Sequence, residues 1–139
     1  MATDDADDGT TAEKVKTFEA TNPLLRAMLE ELRKFALKKP EATLSKQKVM
    51  IVNRLLEDLR TLLADEPNSK YLDVLTDEEL PQYSDVVLIL SQYEAAMRSF
   101  RTRYFRWVDH QNVWVLQDGE EMDGDGSDDD EEDEDEEEG

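Results

Sequence analysis

From Val86 to Trp107 the chain places an apolar residue at alternating steps of four and three without a break: Val86, Leu90, Tyr93, Met97, Phe100, Tyr104 and Trp107. Residues three and four apart share one face of an α-helix, so the spacing predicts a single helix over 84–107, capped by Ser84 and about 36 Å long. An apolar seam of that length is unstable in water and needs partners along its whole course. Two earlier segments offer them. Val49, Val52, Leu56, Leu59 and Leu63 repeat at 3, 4, 3, 4, which predicts a helix over about 45–64. Leu25, Met28, Leu32 and Phe35 do the same over a helix that Asn22 caps, with Pro23 in its first turn, and that ends near Leu37. Lys38-Lys-Pro-Glu41 closes it, because Pro40 disfavours continuation.

Shorter elements fill the remainder. Thr10 and Glu13 have the spacing of a capping box, predicting a short helix over 11–20 that Thr21-Asn-Pro23 interrupts. Thr76 and Glu79 repeat that spacing, but Pro81 leaves room for about one turn. Asn112–Leu116, NVWVL, is the one β-like run, with a last helical turn as the alternative. The expected fold is therefore all-α: an antiparallel bundle of three main helices plus short helical pieces over residues 10–117. Acidic tails, expected to be disordered, occupy residues 1–9 and 118–139.

The tails follow from charge. The formal net charge is −20. Residues 1–8 hold four acids, Asp4, Asp5, Asp7 and Asp8, and residues 118–139 hold sixteen, with no Lys or Arg in either segment. The remaining 16 acids lie in residues 9–117 and are balanced there by all 16 bases. A neutral centre with polyanionic ends reads as an ordinary folded domain carrying solvated, self-repelling tails. A tail without an apolar residue after Met122 has nothing to bury.

The same inventory argues against most chemistry. With no cysteine and a single histidine, His110, there is no thiol nucleophile, no disulfide and no two-histidine metal set. All five glycines, at 9, 119, 124, 126 and 139, lie close to the ends, so no glycine loop can cradle a phosphate. The acid pairs Glu30-Glu31, Glu57-Asp58 and Glu78-Glu79 are adjacent in sequence, and neighbours on a helix do not face each other. The run DGDGSDDDEED from Asp123 lacks the flanking helices and the positional glutamate of a calcium loop. No catalytic, cofactor or metal residue is expected, and the chain reads as a non-enzymatic protein.

What is left points to binding. Trp107, Trp114 and Tyr104 are candidate aromatic anchors, with plugging one end of the helices as the plainer role. Arg98, Arg101, Arg103 and Arg106 are candidate contacts, either with an acidic patch on a partner or with the chain's own tail. Asp128, Asp129, Asp130, Glu131 and Glu132 stand for the acidic run, and Ser127 just before it suits an acid-directed kinase. A flexible anionic tail would repel phosphates, which argues against direct nucleic-acid binding. The first residues, MATDDADDGTT, lack the basic and apolar regions of a secretory signal, and no apolar run approaches the ~20 residues of a membrane span. The expectation is a soluble intracellular protein, nuclear or cytoplasmic, with homo-oligomerisation possible. Two functions compete: a binder of a basic protein client using the helices and the tail, or a structural subunit that packs through helix 84–107 and the Trp-rich end.

Overall fold

The structure is a computed structural model that describes residues 9–76 and 78–124. Its elements run α1 (Ala12–Lys38), α2 (Lys46–Leu62), a 3-10 turn (Ser69–Tyr71), α3 (Tyr83–Tyr104), β1 (Phe105–Val108), β2 (Gln111–Val115) and β3 (Glu121–Asp123). They fall into two compact units. One is Glu13–Thr102, which is helical. The other joins Arg103 onward to the segment ending at Ala12 and holds the sheet.

Three helices together with a three-stranded antiparallel sheet correct the all-α expectation. The helix expected over 84–107 ends at Tyr104, and Trp107 leaves the seam for a strand. The run NVWVL is strand β2 rather than a helical turn, and β3 falls within the stretch 118–139 assigned to the tail. The expected disorder at residues 1–8 and 125–139 lies outside the described residues.

In the helical unit, α1 is one helix where two were expected. Val15, Phe18, Thr21, Leu25, Leu29 and Leu32 form one buried stripe that crosses Pro23. A proline inside a helix removes a backbone donor and costs ~3 kcal/mol. Phe18 and Leu25, both buried on either side of it, offset that cost by keeping the two halves on a common axis. Phe18 stacks on Phe100 of α3 with ring centroids 5.4 Å apart. Phe35, expected in the seam, is instead 46% exposed. It stacks on Tyr83, 5.5 Å away.

The α2 helix starts where Ser45 accepts a hydrogen bond from the Lys48 amide, 3.2 Å, and buries Val49, Val52, Leu56 and Leu59 as the spacing requires. Its Asn53 pins the connection that follows. The amide Nδ2 donates to the Leu75 carbonyl and the Leu75 N–H donates to Oδ1, each at 2.8 Å. At the second capping box no helix is seen among the described residues, and Thr76 Oγ1 accepts from the Glu78 amide. Along α3 the residues Val86, Leu90, Tyr93, Met97, Phe100 and Tyr104 are all buried, so the seam to that point is consumed within the chain.

Tyr93 makes the helical core sensitive to alkali. Its hydroxyl donates to the Asp73 carbonyl at 2.7 Å. Burial pushes the phenol from 10.0 up to about 12, with Arg60 opposing and the Asp73 and Glu57 carboxylates adding. The folded pKa lies above the unfolded one, so this contribution to stability is complete below pH 10 and is lost as pH rises towards 12. Tyr93→Phe should cost about 0.5–1.5 kcal/mol at neutral pH through the lost hydrogen bond. The gap between wild type and variant should then shrink across that alkaline window. Urea midpoints at a series of pH values check it, and a constant gap would place the phenol in water.

Candidate functional site

The sheet unit begins with a change of period. After Tyr104 the apolar residues no longer recur at three and four but cluster in two short strands, as Phe105, Trp107 and Val108 and then Val113, Trp114 and Val115. Asp109 and His110 make the turn, with φ of 50° and 70°. Val108 pairs with Gln111, which leaves a two-residue loop with both residues left-handed, the geometry whose twist suits a hairpin. The segment before α1 adds to the far end of β2. The Thr10 amide donates to the Val115 carbonyl at 2.9 Å, and the Gln117 amide donates back to the Thr10 carbonyl at 2.8 Å. Thr10 thus serves the sheet instead of capping a helix. Gly9 beside it must be glycine, since a Cβ there would run into the Leu116 backbone.

Register sorts the aromatics. Phe105 lies opposite Trp114, which lies opposite Met122, and Trp107 lies opposite Asn112. Alternation puts these side chains on one face of the sheet. Within that face the two tryptophans part company. Trp114 is 1% exposed and packs on Phe105 with ring centroids 4.9 Å apart. Trp107 is 66% exposed and stands near the hairpin tip. Of the two indoles, Trp114 is thus packed inside and Trp107 lies in solvent. Tyr104 is buried, its ring 5.4 Å beneath the Arg103 guanidinium.

No family model, curated protein or solved structure matches the chain. The site therefore has to be read from its own chemistry.

The four arginines are divided between the two units. Arg98 and Arg101 belong to the helical unit, Arg103 and Arg106 to the sheet unit. Arg106 donates to the Arg103 carbonyl at 2.9 Å, so it is engaged locally. The sheet unit is instead net acidic in composition. Residues 103–124 carry two arginines against five carboxylates, Asp109, Asp118, Glu120, Glu121 and Asp123. Downstream of β3 the sequence adds twelve more acids, Asp128, Asp129, Asp130, Glu131 and Glu132 among them, and no base. Those residues and Ser127 lie outside the described residues. Among the described residues no group of three or more His, Asp or Glu is placed to hold a metal ion, and no helix is long and apolar enough to cross a membrane.

Sequence reasoning found both indoles but could not separate them. The separating signal is the strand register, and it depends on recognising Asp109-His110 as a hairpin turn although neither residue is glycine.

Proposed function

We propose that this protein is a non-enzymatic binding module for a basic protein client, of the kind an assembly chaperone or a chromatin- or ribonucleoprotein-associated factor holds. The observation that carries the reading is Trp107, a 66%-exposed indole on a strand of a sheet unit with a net acidic composition. An exposed indole offers a large rigid surface and a π-face that attracts Lys or Arg. The acidic run that follows β3 steers a cationic partner towards it and repels anionic competitors. The alternative, a structural subunit packing through helix 84–107 and the Trp-rich end, finds less support in α3, where the seam residues Val86, Leu90, Tyr93, Met97, Phe100 and Tyr104 are buried.

The test compares the full chain with one ending at Gly124, because ending it earlier would delete β3 and with it the sheet. A Lys/Arg-rich peptide is titrated at several salt concentrations. The full chain should bind it with an affinity that falls steeply with salt, and the shortened chain should lose most of both affinity and slope. Trp107→Ala should weaken binding by about 2 kcal/mol while folding stability stays within about 0.5 kcal/mol. Equal affinity and equal slope for the two chains would sink the proposal.

A further inference from the structure

The sheet leaves β3 at an edge, and the parity of its hydrogen bonds decides which backbone groups that edge presents. On β2 and just beyond it, the Val115 carbonyl accepts from Thr10 and the Gln117 amide donates to Thr10, so these odd-numbered residues turn their backbone groups away from β3. The Leu116 amide donates in the other direction, to the Glu120 carbonyl at 2.9 Å. Bonded and non-bonded pairs alternate along an antiparallel ladder. Trp114 therefore exchanges bonds with Met122, whereas Val115 opposite Glu121 and Val113 opposite Asp123 form the non-bonded pairs. It follows that the N–H and C=O of Glu121 and of Asp123 point outward from the sheet. Both residues are exposed, and among the described residues no side-chain hydrogen bond or ion pair engages either.

We propose that the basic client adds a strand to this edge, through a short extended segment with Lys or Arg at alternate residues. A client residue opposite Glu121 exchanges two backbone bonds with it, and the client residue two positions away does the same with Asp123. Side chains of such bonded pairs lie on one face with Cα atoms about 5.5 Å apart. Each carboxylate thus has a cross-strand neighbour, and a base is the residue that complements it. The client residue between them shares the face of half-buried Met122, which suits an apolar or β-branched side chain. The acids also discriminate against a second copy of the chain, because β3 against β3 would set carboxylates opposite carboxylates. The other edge strand, β1, carries Arg106 and no acid, so it lacks this complementarity. Trp107 stands on β1, two strands away, and engages a different part of the client. Strand addition rests on the client-binding reading for the charge of the partner, and it supplies the register of the contact.

The test uses the full chain and short peptides of alternating Lys and Thr. One is unmodified, one is N-methylated at every Lys and one at every Thr, so charge is the same in all three. Paired as proposed, the Lys amides face β3 and the Thr amides face solvent. Methylation at Lys should weaken binding by about tenfold or more, for the loss of two backbone hydrogen bonds. Methylation at Thr should weaken it far less. The gap should persist as salt lowers every affinity. In the complex with the unmodified peptide, the amides of Glu121 and Asp123 should exchange hydrogen more slowly than in the free chain. Glu121→Gln combined with Asp123→Asn should weaken binding by about threefold to tenfold. Equal affinities for the two methylated peptides, while the unmodified one binds with a steep salt dependence, overturn strand addition and leave the client-binding reading standing. Unchanged exchange at both amides in the complex overturns it too. Failure of all three peptides to bind removes both readings together.

Discussion

Trp114→Ala should lower the folding stability by about 3–5 kcal/mol, the range for removing a large buried aromatic. The sheet unit has little with which to compensate. Its three strands hold four, five and three residues, and Trp114 is the fourth residue of the middle one. Phe105 on one side and Met122 on the other face it across the ladders. Gly124 keeps the neighbourhood open, since a Cβ there would run into the Phe105 ring. Truncating the indole therefore leaves a cavity between groups that the short strands cannot easily bring together. The urea midpoint measures the effect, and Trp107 remains as the fluorophore. A shift no larger than that of a surface substitution would mean that the β1–β2 register is not the one that faces Phe105 with Trp114.

The contrast between the two indoles also shows where the sequence stops being informative. The step from Tyr104 to Trp107 is three residues, so helical periodicity alone continues the seam one position too far. Only the residues beyond it break the pattern. Asp109 and His110 reverse the chain with positive φ, which neither residue type signals as strongly as Asn-Gly does. Pro23 misleads in the other direction. Locally it marks a helix start, yet the buried residues on both sides hold α1 continuous through it. In each case a local signal was legible and a non-local one decided: a cross-strand partner in the first, burial of a common stripe in the second. The seams of α2 and of α3 up to Tyr104 were legible because period and burial agree at every position. The exposed indole was legible as a candidate but not as the exposed one of the pair, because exposure depends on register.

Leu56→Ala should cost about 2–5 kcal/mol, and it bears on the helical unit as Trp114→Ala bears on the sheet. Leu56 is fully buried, as are Val52 one turn before it and Leu59 and Leu63 after it. The loss combines the transfer free energy of the deleted atoms with the cavity left between packed helices, and the lower end of the range applies only if neighbours close in. Domains of this size are stable by about 5–15 kcal/mol in total, so the variant gives up a substantial fraction of what holds it folded. Met50 is the internal control. It lies on the same helix on the exposed side, and Met50→Ala should change stability by no more than about 0.5 kcal/mol. The difference between the two midpoints reads the rotation of α2 about its axis. That rotation turns Leu56 inward and leaves Met50 and Ile51 on the exposed side. Equal costs at positions 50 and 56 would mean that α2 is turned otherwise than the burial of Leu56 requires.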